Sequence, residues 1–432
     1  MLNVNIQKIE EKTSFLASFK IILVNRVWIR ILDFACSTYL VAKLLPEKDF
    51  GIFSYVISCF FICYQLMSLG ISTTYAKFFH ENNGSSRFFL NFFLFRFVTG
   101  FFFSILFWIS FGLLHNSFYL YFIVMFNLLG AILTDFFVQH YQIQERFKIS
   151  VQISSACQYV RCTCFILCFA NGWFTIEALL WGYFIGYTFT ALVLVIKIVP
   201  KEFINYRKTT DLKLLFSKLQ MTKYIKYGVW LTLSSLLVVI ILYLDGIMLF
   251  HMQGPVVSAA YALAFRFVEP ILLLSDAMSK VFMPRLFKEN TIENIKEYLS
   301  KLNRYLMPVA ILITIVGLII IDPIFEYFFH NQYVLTPNII KVLIPTVSIS
   351  IYSIPHSLIL YQIEKPHLFT ISHGFQLFGI IILNFWMIPK YGAMGAAWNT
   401  LFIKLIIVTF YFTYIRKYIS KQDAKRNQVE SF

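Results

Sequence analysis

The stretch from Phe19 to Leu45, which contains the run IILVNRVWIRILDFACSTYLVAKLL, most constrains what this chain can become. It is long and apolar enough to cross a bilayer as one helix, at about 1.5 Å per residue against a hydrocarbon core of about 30 Å. Yet it carries Arg26, Arg30 and Asp33. If the helix enters near Lys20, Arg30 lies about 15 Å deep. A charge at that depth costs several kcal/mol unless it faces protein, water or a partner. Arg30 and Asp33 are three residues apart and can face the same way. The rest of the chain must supply the polar interior these groups point into.

Composition agrees that the solvent is lipid. The chain is 59% hydrophobic and 14% charged, against about 45–50% and about 25% for a soluble domain. The apolar runs are continuous and about 20 residues long, which excludes a β-barrel with its alternating strands. The first twenty residues hold Lys8, Glu10, Glu11, Lys12 and Lys20. They lack a short apolar core with a cleavage site, so the first helix is expected to act as the insertion signal. All seven cysteines sit in apolar runs without zinc spacing, and read as small buried hydrophobes. Most of the 49 Phe, 25 Tyr and 7 Trp are expected to face lipid or its interfaces.

Twelve spans are predicted, near 20–45, 50–71, 87–113, 117–140, 150–170, 175–198, 226–250, 256–283, 304–321, 338–361, 368–387 and 393–415. Their linkers alternate in charge, with about 25 Lys and Arg on one side and about 3 on the other. That bias makes the basic side cytoplasmic and, for an even number of spans, puts both termini there. Most of the net +15 is therefore topology signal and contact with anionic phospholipid headgroups. No nucleic-acid partner is expected.

The longest basic linker divides the spans six and six. It predicts an N-terminal lobe over 1–198, a linker over 199–226, a C-terminal lobe over 227–415 and a basic tail over 416–432. Short matches recur between the halves at nearly constant offset. Leu114-His115-Asn116 matches Phe329-His330-Asn331, and Tyr141-Gln142-Ile143 matches Tyr361-Gln362-Ile363. Asn171-Gly172 likewise matches Tyr391-Gly392. Six spans per half give both halves one orientation, a parallel repeat with a cavity between them, as in alternating-access transporters. The fold class expected is an all-α polytopic membrane protein, two six-helix lobes around a central cavity.

Three sets of residues resemble the Wzx-type oligosaccharide flippases of the multidrug/oligosaccharidyl-lipid/polysaccharide exporter superfamily. They are Leu44-Leu45-Pro46-Glu47-Lys48-Asp49-Phe50-Gly51 after span one, Tyr243-Leu244-Asp245-Gly246 with Ala260-Tyr261-Ala262 and Pro284-Arg285-Leu286 around spans seven and eight, and Ile388-Pro389-Lys390-Tyr391-Gly392-Ala393 entering span twelve. Ala259 stands where the family usually has Gly. The resemblance implies a V-shaped pair of lobes. It also implies movement of undecaprenyl-diphosphate-linked sugars, as repeat units of O-antigen or capsule, across the bacterial inner membrane, coupled to an ion gradient. Partners would then be the lipid-linked oligosaccharide and the polymerase and chain-length machinery of the same pathway.

Such a substrate needs fixed cations for its diphosphate and polar or aromatic groups for sugar. Near mid-depth lie Arg30, Asp33, Arg161, Arg266, Glu269 and Lys404. Arg30, Arg161, Arg266 and Lys404 are the substrate-binding candidates. Arg30 could instead pair with Asp33, and Arg266 with Glu269 beside Pro270. Arg161 has no acid within a helical turn and needs a partner from elsewhere. Asp33, Asp245 and Glu269 are candidates for coupling or ion pairing, with a structural acid near the helix end as the plainer reading of Asp245. Trp28, Tyr39, Trp181 and Trp398 could meet sugar but read more simply as packing. Pro345 and Pro355 are expected to break span ten into pieces. No P-loop motif, metal-ligand set or cofactor motif is present. A cationic drug exporter or lipid II flippase shares the fold. A membrane polymerase or glycosyltransferase is the competing enzyme class, but the longest outer loop, Asp322–Pro337, offers only Asp322, Glu326 and His330 for acid–base work.

Overall fold

A computed structural model describes residues 28–29, 31–68, 74–75, 78–79, 86–144, 146–208, 218–286, 292–330, 332–363 and 365–430. Arg30 lies outside these residues, so its expected role and its pairing with Asp33 lie outside them too. The described residues form helices α1 (Phe34–Leu40), α2 (Val41–Leu44), α3 (Glu47–Ser68), α4 (Ser86–His115), α5 (Phe118–Ile143), α6 (Phe147–Ala170) and α7 (Ile176–Phe184). They continue as α8 (Ile185–Phe189), α9 (Thr190–Lys208), α10 (Lys218–Gln253), α11 (Pro255–Leu286), α12 (Ile292–Phe329), α13 (Thr336–Gln362) and α14 (Pro366–Glu430). Among them, α1 and α8 are π-helical turns.

Ten helical runs among the described residues are long and apolar enough to cross a membrane. One of them, His367–Lys421, is 55 residues long, about twice what a single pass needs. It bends at Gly392, whose φ of 56° and ψ of −138° leave the helical region. Counting it as two passes gives eleven among the described residues; the first expected span, 20–45, lies partly outside them. The chain is an all-α, multi-pass membrane protein. Several helices outrun their predicted spans, such as α12, which covers Ile292–Phe329 rather than 304–321. Its polar, Lys- and Glu-rich first turns favour helix as strongly as its apolar run does, but hydropathy does not register them. Span ten is not broken: α13 is one helix through Pro345 and Pro355. It is 72% buried over its most apolar window, so surrounding helices hold the turns that proline weakens.

The chain forms two compact units. Unit 1 comprises Met1–Leu45 and Cys59–Leu236; unit 2 comprises Pro46–Ser58 and Leu237–Phe432. In unit 1, α4 packs along α5, and α5 packs on α6 to α9. Its core is aromatic: Tyr75, Phe88, Phe89, Phe92, Phe136 and Phe137 are buried together. The expectation that aromatics mostly face lipid is thus corrected for this block, since rings at i and i+4 on α4 close over a matching pair on α5.

In unit 2, α13 packs on α11, α12 and α14. The first part of α3 belongs to this unit. A Cβ on Gly51 would lie 2.0 Å from the Pro255 carbonyl oxygen, so only glycine permits that approach. The Tyr333 amide donates to Glu47 Oε1 at 2.9 Å. Backbone conformation repeats between the units: Asn116 and His330 have φ of 50° and 42°, and Gly172 and Gly392 have φ of 70° and 56°. Gly172 and Gly392 are matched positions of the two sequence halves, whereas Asn116 and His330 stand one position out of register, since Asn116 matches Asn331.

Candidate functional site

Among the described residues, each unit holds a buried polar centre built from distant parts of the sequence around one candidate residue. In unit 1 the centre is Arg161 on α6, only 5% exposed. Its Nη2 donates to Oδ1 of Asp33, the residue preceding α1. Ser37 Oγ donates to the same oxygen at 2.8 Å. The guanidinium carbon sits 4.6 Å from the Tyr183 ring centroid, within cation–π range. Arg161 Nε is buried and has no hydrogen-bond partner among the described residues.

Both π-helical turns border this centre. Asp33 leads into α1, and α8 crosses α6 where a Cβ on Gly186 would lie 3.3 Å from Arg161 Cβ. Hydroxyls fasten α8 in place: Thr190 donates to Gly186 O at 2.7 Å, Thr188 to Phe126 O at 3.0 Å and Thr134 to Tyr187 O at 3.3 Å. Such turns leave carbonyls off the regular ladder, and side-chain donors satisfy them.

A second arginine in unit 1 does structural work. Arg96 is fully buried on α4, and its Nη1 donates to the carbonyls of Met67 at 2.9 Å and Ser68 at 2.8 Å, at the end of α3. Its Nη2 lies 3.7 Å from Asp135 Oδ2. A cation there satisfies terminal carbonyls and opposes the negative end of the helix.

In unit 2 the centre is Asp245 on α10, 2% exposed. Tyr261 Oη and Thr400 Oγ1 donate to Oδ2, each at 2.6 Å, and Asn384 Nδ2 donates to Oδ1 at 2.7 Å. Asn399 Nδ2 donates onward to Asn384 Oδ1 at 2.7 Å. Asp245 lies eight residues before the end of α10; neighbouring helices enclose it, and three donors compensate its desolvation. Asn384 and Thr400 stand on opposite sides of the Gly392 bend, so the network ties both arms of α14 to α10. An oxygen-rich set of this kind can hold a proton or a small cation.

The other candidates in unit 2 are separate from Asp245. Arg266 lies over Phe50 and Phe53, with its guanidinium carbon 5.6 and 5.7 Å from their ring centroids. Both Arg266 and Glu269 are half-buried. Lys404 is half-buried and makes no ion pair among the described residues. Trp28 and Trp398 are exposed, whereas Trp181 Nε1 donates to Tyr119 Oη at 3.3 Å. At the chain turn after α13, Lys365 Nζ donates to Tyr414 Oη at 3.0 Å. That hydrogen bond, with the electrostatic pull of the same phenol, holds the lysine pKa above its ordinary value.

Sequence reading missed Tyr183, Tyr261, Asn384, Asn399 and Thr400. The signal was there for three of them: amides and a hydroxyl inside IIILNFW and AAWNTLF cannot face lipid cheaply and must find partners.

A family model described as Polysaccharide biosynthesis protein matches residues 15–290. A Shigella flexneri protein assigned as an O-antigen transporter is 24% identical over 176 residues, 40% of this chain and 41% of that protein. The match thus spans less than half the length of that curated relative. Among solved structures, the lipid II flippase MurJ in an inward closed conformation superposes with a TM-score of 0.71 at 14% identity, covering 92% of this chain and 87% of that one. An inward-facing multidrug resistance MATE family transporter of the MOP superfamily gives 0.66 at 12% identity, covering 91% and 96%. These likenesses establish the fold.

Proposed function

The chain belongs to the polysaccharide biosynthesis protein family, and from that premise we propose that it is a flippase for lipid-linked oligosaccharides. The substrate would be an undecaprenyl-diphosphate-linked repeat unit of O-antigen or capsule, moved across the bacterial inner membrane by alternating access. The observation that carries the reading is Arg161: a buried guanidinium in a membrane span with Nε unpaired among the described residues. Arg96 has open donors too, but it is anchored to two helix-end carbonyls, whereas Arg161 meets a carboxylate and a ring face and has a donor to offer an incoming anion. A diphosphate oxygen supplies the acceptor, and Arg offers it a planar fork. Arg30, Arg266 and Lys404 are proposed as further cations met along the path.

Asp245 is the proposed coupling group, exchanging a proton or small cation as α14 bends at Gly392. Asp33 and Glu269 are the remaining acids in this role or as ion-pair partners. The two lobes are proposed to run over 1–198 and 227–415, joined by a basic linker over 199–226, with a basic tail over 416–432. Both termini would face the cytoplasm, against anionic headgroups, and the polymerase and chain-length machinery would act on the delivered units. On this reading the protein is not an enzyme.

Deleting the gene and recovering lipid-linked sugars tests the reading. A flippase loss leaves complete repeat units facing the cytoplasm and no surface glycan. Truncated or unattached glycan outside the membrane would point instead to a polymerase or transferase.

A further inference from the structure

Unit 1 holds a second polar feature that the transport reading does not use. A pocket of about 390 Å³ is lined by His140, Tyr141, Gln144, Arg146, Ile198 and Glu202, within the range of small-ligand sites. It lies where three elements change from apolar to polar. Helix α5 ends at Ile143, Arg146 caps the start of α6, and Glu202 is two residues before the end of the apolar run Ile176–Ile204. By the charge bias of the linkers this is the cytoplasmic end of the unit.

Its wall and its two charges have different roles. His140 is buried and engaged on both ring nitrogens, by Tyr75 Oη at 2.7 Å and Gln144 Nε2 at 3.1 Å. With the glutamine amide donating, the ring accepts at Nε2 and donates from Nδ1, which makes it neutral. Arg146 is exposed at the rim and Glu202 is half-buried, and the two form no ion pair with each other. Opposite charges across one pocket at headgroup depth, held apart, fit a ligand that carries both complementary charges. Phe147 and Ile149 beyond Arg146, and Phe203 and Ile204 beyond Glu202, are exposed apolar side chains suited to acyl chains.

We propose that this pocket binds a phospholipid with a primary-amine headgroup, its phosphate on Arg146 and its ammonium on Glu202. A phosphate alone could come from a prenyl phosphate or an anionic phospholipid, but neither brings the cation that Glu202 calls for. A choline headgroup brings a cation without N–H donors, so it binds more weakly than the primary amine.

The test is lipid retention by the full-length protein in mild detergent, read by native mass spectrometry. Four probes compete: phosphatidylethanolamine, phosphatidylglycerol, phosphatidylcholine and undecaprenyl phosphate. The expected result is about fivefold to tenfold stronger retention of phosphatidylethanolamine, falling to within about twofold of the others in Glu202→Gln. Arg146→Gln should lower retention of all the phospholipids. Equal retention of all four by the wild type, preference for either anionic probe, or a preference that survives Glu202→Gln overturns the proposal. The wild-type competition decides the matter even if a variant fails to fold.

Discussion

Removing the guanidinium of Arg161 separates its structural share from its proposed work on substrate. Breaking a buried ion pair from one side costs about 3–5 kcal/mol, because the other charge is stranded. Here the Asp33 side chain is 21% exposed and keeps Ser37 Oγ at 2.8 Å, so Arg161→Ala should cost nearer about 2–3 kcal/mol. That is a factor of roughly 30–150 in the folding equilibrium, a large part of a typical total. Arg161→Lys keeps the charge but loses the fork and the Tyr183 contact, about 1–2 kcal/mol. The decisive variant is the double change Asp33→Asn with Arg161→Gln, which removes both charges and leaves groups able to hydrogen-bond each other. Its thermal stability in detergent should return to within about 1 kcal/mol of wild type. Surface glycan per molecule of protein, measured in a deletion strain, should stay absent. If the double variant restores glycan along with stability, Arg161 only holds α6 to the segment before α1, and the substrate role is refuted.

Three further outcomes are expected. Arg96→Ala leaves the Met67 and Ser68 carbonyls without their donor, so it should lower stability by about 2–4 kcal/mol; glycan should fall only in proportion to protein level on an immunoblot. Asp245→Asn keeps the shape and most hydrogen bonds of the centre, so melting should shift little while glycan export stops responding to collapse of the ion gradient; an unchanged response would remove Asp245 from coupling. Gly130→Ala places a Cβ 2.7 Å from the Thr188 amide nitrogen and should cost about 1–3 kcal/mol by pushing α8 off α5, read as a lower melting temperature.

The spans, their number and the alternating charge of the linkers were legible because each is written in contiguous residues. So was the need of Arg161 for a distant partner, since nothing acidic lies within a turn of it. The identity of that partner was not, because Asp33 is 128 residues away and its own neighbour Arg30 offered a local alternative. The Asp245 network joins residues 16, 139 and 155 positions apart, and no periodicity encodes such a meeting. The π-helical turns were hidden too: α8 is fastened by threonines on and beside it and by its close approach to α5 and α6, contacts that no local pattern encodes. The assignment of Pro46–Ser58 to unit 2 rests on packing such as Gly51 against Pro255, which a hydropathy pattern does not contain.

Transfer across a bilayer of defined lipids tests the central claim most directly. Purified protein would be reconstituted into vesicles carrying a fluorescent undecaprenyl-diphosphate oligosaccharide, with a membrane-impermeant reagent reporting the fraction exposed outside. The account predicts that the protected fraction equilibrates faster with protein than without, needs no ATP, and slows to the protein-free rate with Asp33→Asn plus Arg161→Gln. Equal rates in protein-containing and protein-free vesicles, under an imposed ion gradient of either sign, would contradict it.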